Sequence, residues 1–167
     1  MDDNEIQPNA LPARFVPDRI SGDYRRSISG KSGWIPIPLL SNVAADVGFA
    51  DIDVNTTDRV PAIEIYQGRP VKSLTLVALE MAARERAQII SNERVLLGKR
   101  QIKLDENNQI RLGKIEARDP AYTSFSQLLD GKADAARLRD KVVVIAYDGS
   151  KMHALTTSAG PIKAHRL

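Results

Sequence analysis

Residues 142–146 read Val-Val-Val-Ile-Ala, an unbroken apolar run of mostly β-branched side chains between Lys141 and Tyr147. Branching at Cβ favours extended backbone, and a strand that is apolar on both faces needs cover on both. The run therefore predicts a central strand over Lys141–Tyr147 in a layered α/β fold.

Other segments supply layers around it. Val47–Val54 and Val60–Tyr66 alternate apolar and polar positions and predict two strands, separated by the turn cluster Asn55-Thr56-Thr57-Asp58. Gln67-Gly68-Arg69-Pro70 then turns the chain. Ser73 is a natural N-cap for a helix reaching to about Ile90, with Leu74, Val77, Ala78 and Met81 on one face. Leu76 and Leu79 make its first half apolar nearly all round. Glu80 stands four residues before Arg84, the spacing of a surface ion pair, and Arg84, Glu85 and Arg86 predict a solvated second half.

A hairpin follows over Gln101–Leu112, with Ile102 and Leu104 opposite Ile110 and Leu112 and the polar connection Asp105-Glu106-Asn107-Asn108. Ser124–Leu129 predicts a short helix closed by Gly131, and Ala133–Leu138 a further helical turn. Around Trp34, Pro36 and Pro38 exclude helix and central strand, which leaves an edge segment or an ordered loop. Together these elements predict a mixed α/β (α+β) fold: a mixed sheet packed against one long and several short helices. It forms a single domain over residues 11–167 after a flexible tail at residues 1–10.

Composition removes several function classes. Cysteine is absent from the 167 residues, so disulfide frameworks, thiolate metal sites and cysteine nucleophiles are excluded. His153 and His165 are the two histidines and leave little scope for a His-rich metal centre. They could pair with Asp148 in a metal or acid–base site, but histidine at a strand-to-loop exit is more often a polar loop residue. Net charge is +3, from 24 Lys and Arg against 21 Asp and Glu, and aromatic residues make up 5%. Scattered cations and few stacking rings argue against nucleic acid as a partner. The longest charge-free stretch, Ser32–Ala45, is interrupted by prolines and too short to span a bilayer. The amino terminus is acidic where a secretory signal would be basic.

The recognisable motif fragments fail on their own chemistry. Gly30-Lys31-Ser32 has Arg25 where a phosphate-binding loop needs glycine, and Trp34-Ile35-Pro36 follows in place of a helix. Asp51, Asp53 and Asn55 match the opening of a calcium loop, but Thr56 and Ala62 occupy the positions of its glycine and closing glutamate. No nucleophile-and-base arrangement is present. No catalytic residue, metal or cofactor is expected.

Two stretches carry a likeness. The first is Gly48-Phe49-Ala50-Asp51-Ile52-Asp53, Asn55, Asp58-Arg59-Val60-Pro61 and Ser73-Leu74 opening a helix. The second is Leu138–Ile145, Thr156-Thr157, then Gly160-Pro161-Ile162-Lys163-Ala164-His165. In order and interval the chain resembles the distal part of the CHASE type-two family, the cyclase/histidine kinase-associated sensory extracellular domains. That resemblance implies a ligand-recognition domain on the extracytoplasmic, periplasmic side of a bacterial inner membrane. Its partners would be an unidentified small-molecule or protein signal, flanking transmembrane helices, and a cyclase, histidine kinase or Ser/Thr kinase output domain; association of two copies is left open.

Ligands of open α/β sheets sit beyond the carboxyl ends of the strands, which directs attention to the loop after the 142–146 run. Arg59, Asp148, His153, Thr157 and His165 are the candidate ligand-binding residues. Two other readings fit the same sequence: a non-catalytic interaction or dimerisation module, and a small cytoplasmic α/β enzyme.

Overall fold

A computed structural model describes residues 11–30, 35–50, 59–112, 123–145, 154–157 and 160–163. It has mixed parallel and antiparallel sheets with a few helices, a mixed α+β class. Contacts divide the chain into two compact units. One comprises Met1–Asp51 with Val60–Arg111, the other Ile52–Arg59 with Leu112–Leu167.

In the first unit the organising element is α2 (Leu74–Ala83), preceded in the chain by the single-turn α1 (Pro38–Ser41). Ser73 caps α2 as expected, its hydroxyl accepting from Leu76 N at 3.2 Å. Leu76 and Val77 are buried. The predicted extension to Ile90 does not occur. Arg84 adopts a left-handed conformation (φ 55°), and Glu85 N donates to Glu80 O, closing the last turn without glycine. The chain then turns back at once, because Ile89 belongs to the core as part of a strand.

Four strands form the main sheet, in the order β1-β6-β7-β8. They are β1 (Ile20–Ser21), β6 (Gln88–Ile90), β7 (Arg94–Leu97) and β8 (Arg100–Lys103). β1 runs parallel to β6 with Ile20 opposite Ile89, and the other pairs are antiparallel. The pleat sends Ile89, Val95 and Leu97 inward onto Leu76, Ala62, Ile63, Ala87 and Leu104, with Leu79 and Ile102 at the margin.

A three-stranded sheet, β2-β4-β5, joins β2 (Ser29–Gly30), β4 (Ile63–Tyr66) and β5 (Arg69–Lys72). Gln67 (φ 49°) and Gly68 (φ 78°) make the two-residue turn between β4 and β5. The expected turn is therefore confined to its first two residues, and Arg69 and Pro70 already belong to a strand. A second core forms from Leu11, Phe15 and Val71, flanked by Val47, Phe49 and Tyr66. β3 (Arg59–Pro61) and β9 (Gln109–Arg111) pair separately. The predicted strand over Val60–Tyr66 is thus two strands meeting at the buried Ala62.

The expected 101–112 hairpin keeps its turn and changes its partners. Asp105 accepts from the backbone N–H of Asn107 and Gln109, and Leu104 bridges Ile110. Its arms then diverge, β8 to β7 and β9 to β3. Asn108 is fully buried in the left-handed region (φ 59°). Its Oδ1 accepts from Asn92 N at 2.7 Å and its Nδ2 donates to Ser27 Oγ at 3.0 Å, tying three turns together. Pro38, expected to exclude helix, occupies the first turn of α1, where a missing N–H costs nothing.

In the second unit, α3 (Phe125–Leu129) and a 3₁₀ turn at Ala135–Leu138 match expectation, with Gly131 at φ 67° after α3. The central strand does not. Residues 141–145 have no strand pairing, and Val144 and Ile145 are 67% and 72% exposed. A β-branched run becomes an inner strand only where ladders flank it, and none of the described strands does. Residues 154–163, read as a polar loop, contain an antiparallel pair, β10 (Ala154–Thr157) with β11 (Gly160–Lys163). Among the described residues no helix is long and apolar enough to cross a membrane.

Candidate functional site

Four charged side chains meet beside α2. Lys72, the last residue of β5, points into the protein and donates from Nζ to Asp46 Oδ2 and to Glu80 Oε2, both at 2.6 Å. All three side chains are almost wholly buried. Arg86, just past the helix, donates from Nη1 to Asp46 at 2.5 Å and to Glu80 at 3.4 Å, while 57% of its side chain remains exposed. Glu80 Oε1 accepts from Ala87 N at 2.8 Å. The expected surface pair of Glu80 with Arg84 is therefore replaced: Glu80 lies one turn beyond Leu76, on the face that α2 buries.

Gly48 makes this arrangement possible. A β-carbon there would stand 2.5 Å from Leu74 N, so only glycine lets the chain press against the start of α2. Phe49 N donates to Lys72 O and Leu74 N to Phe49 O. The same close passage sets Asp46 over Lys72.

Burial pushes the Asp46 carboxyl up, but its bonds from Lys72, Val47 N and Arg86 outweigh this and hold it below the usual carboxylate value. The bond to Asp46 likewise raises Arg86. Two cations and two anions balance, with Lys72, Asp46 and Glu80 buried in the network and Arg86 committing only Nη1 to it. This cluster holds structure together.

An open hollow of about 500 Å³ lies next to it, lined by Arg19, Glu85, Arg86, Gln88, Leu96 and Gly98. It occupies the solvent side of the main sheet at one end. Ile20 packs toward the core, so the pleat turns Arg19 to the face that carries Gln88 and Leu96. Gly98 has a left-handed backbone (φ 57°), and a β-carbon on it would run into Glu85 Oε2. The carboxylate therefore rests against a bare α-carbon. Among the described residues neither Arg19 nor Glu85 has a side-chain partner.

A second hollow of about 620 Å³ is lined by Gly22, Asp23, Tyr24, Arg25, Ser29, Ile65 and Gly68. There Arg25 pairs loosely with Asp23 at 3.8 Å, both exposed.

Of the residues expected to bind ligand, Arg59 opens β3 and lines neither hollow. Thr157 ends β10, opposite Gly160. Asp148, His153 and His165 lie outside the described residues. The strand-exit argument that selected Asp148, His153 and Thr157 loses its base, because residues 141–145 form no strand. Among the described residues no group of three His, Asp or Glu side chains is placed to hold a metal ion. Sequence reasoning missed Asp46, Lys72 and Arg19. One signal was legible: Glu80 falls three and four residues after Val77 and Leu76, on the buried stripe of an apolar helix. No family model, no curated protein and no solved structure matches the chain.

Proposed function

We propose that this chain is a non-catalytic recognition domain of sensory type, which reads an extracytoplasmic signal for a bacterial membrane-bound cyclase or kinase. The observation that carries the recognition role is the allocation of charge. The buried ionisable groups Asp46, Lys72 and Glu80 neutralise one another with Arg86. By contrast, Arg19 and Glu85 stand uncommitted around an open hollow. Groups that perform acid–base chemistry need access to a reacting atom, whereas groups that hold a ligand need only a fixed, open rim. The likeness of the 48–74 and 138–165 stretches to the CHASE type-two domains supports the sensory setting. A signal acts here by binding one of two conformations more tightly, with coupling of about 1–3 kcal/mol.

The test is a thermal-shift screen of the purified chain against a metabolite library, followed by the same screen on the parent protein with output activity recorded. A compound that raises the melting midpoint and changes output supports the reading. Turnover of any library compound by the isolated chain refutes it.

One observation favours a second reading, a protein-interaction or dimerisation module. Between residues 123 and 145 no side chain is buried, and Phe125, Leu129 and Val142–Ile145 are all exposed. Apolar surface of this kind marks contact sites. Under this reading light scattering shows association that rises with concentration and disappears in Val144→Lys.

A further inference from the structure

We infer that the hollow at the end of the main sheet is a subsite for a free α-amino acid, its carboxylate held by Arg19 and Arg86 and its ammonium by Glu85. This names the ligand class for the sensory reading and rests on it.

The argument begins with sign. The rim carries guanidinium groups and a carboxylate within one hollow, and among the described residues Arg19 and Glu85 are not paired with each other or with anything else. A purely anionic ligand would satisfy the arginines and be repelled by Glu85; a purely cationic one would meet the reverse. A small zwitterion satisfies both.

Geometry adds orientation. Arg86 is fixed by Nη1 on Asp46 and Glu80, yet most of its side chain faces solvent. A guanidinium has five donors in a rigid plane, so the remaining edge is presented with little freedom left to lose. Preorganisation of this kind lowers the cost of binding. Arg19 lies just before β1, where its carbonyl accepts from Ile89 N at 2.8 Å. Among the described residues its side chain has no hydrogen-bond or ion-pair partner. Glu85 approaches from the other side, over Gly98, where any side chain would displace its carboxylate. Between them, half-buried Leu96 offers an apolar wall for the ligand's side chain, and the Gln88 amide both donates and accepts.

The experiment is calorimetric titration of the purified chain with L-leucine, L-glutamine and L-serine. Isocaproate, which is leucine without its amine, and isoamylamine, which is leucine without its carboxylate, serve as controls. Saturable binding of at least one amino acid is expected. Arg19→Gln and Glu85→Gln should each weaken it about tenfold, since each removes a charge-assisted hydrogen bond. Both side chains are exposed and unpartnered, so the ligand-free melting midpoint should stay the same. Neither control should bind comparably.

If isocaproate binds as well as leucine, or Glu85→Gln leaves affinity unchanged, the zwitterion assignment is overturned. If no amino acid binds but another metabolite raises the melting midpoint, the assignment falls while the sensory reading stands. A blank from the amino acids and the whole library overturns both.

Discussion

Replacing Lys72 by Met tests the central electrostatic feature most directly. The substitution keeps the length and volume of the buried stem and deletes the charge. Asp46 Oδ2 and Glu80 Oε2 each lie 2.6 Å from Nζ, so they are no more than about 5 Å apart. With the lysine gone, two carboxylates at that separation repel by about 3 kcal/mol at an effective dielectric near 20. Deleting one member of a buried ion pair costs about 3–5 kcal/mol in general. Arg86 still touches both carboxylates, which argues for the lower end, about 3 kcal/mol. Urea denaturation followed by far-ultraviolet circular dichroism measures this at neutral pH. The penalty should shrink on acidification, because protonating either carboxylate ends the repulsion. A triple variant, Asp46→Asn, Lys72→Met and Glu80→Leu, should recover much of the loss, since it leaves no stranded charge. A cost below about 1 kcal/mol for Lys72→Met, independent of pH, would place these groups in the regime of surface pairs and refute the reasoning.

Acid should reveal Asp46 separately. Its carboxyl is held below its ordinary 3.8, so the stability it contributes is complete above that value and lost as pH falls through the lower folded one. Asp46→Asn should flatten the stability profile in that acid window, and urea midpoints against pH measure it. Gly48→Ala forces a β-carbon to within 2.6 Å of both Leu74 N and Leu74 Cα. The chain must move, at about 2 kcal/mol, and amide exchange at Phe49 and Leu74 should accelerate. Asn108→Ala removes an acceptor from Asn92 N and a donor to Ser27 in a wholly buried site, and should cost about 2–3 kcal/mol in thermal or urea unfolding.

Local rules were legible where the chain stays local. Ser73 as a cap, the Asp105–Asn108 turn and the short helix expected over Ser124–Leu129 each depend on neighbours within a few residues, and each forms. The helix stop at Arg84 was hidden because an arginine takes the left-handed position usually filled by glycine. Its cause, pairing of Ile89 with Ile20 on one side and Val95 on the other, involves distant residues. The described part of the apolar run, Val142–Ile145, forms no strand for the opposite reason: β-branching sets a preference for extension, but only partner strands turn that into an inner strand. The buried cluster was partly readable through Glu80. Asp46 and Lys72 gave no pattern, since their meeting depends on Gly48 allowing two distant segments to touch.

The pairing of β1 with β6 has a consequence for how the molecule comes into being. Ile20 waits roughly seventy residues for Ile89, and β3 waits about fifty for β9, whereas β6, β7 and β8 adjoin one another. On a ribosome the β6–β8 meander can assemble with α2 as soon as it emerges, and the earlier strands then add to a platform already built. The slow step of maturation is therefore expected to be the docking of the amino-terminal strands, with the sheet's β6 edge bare until they arrive.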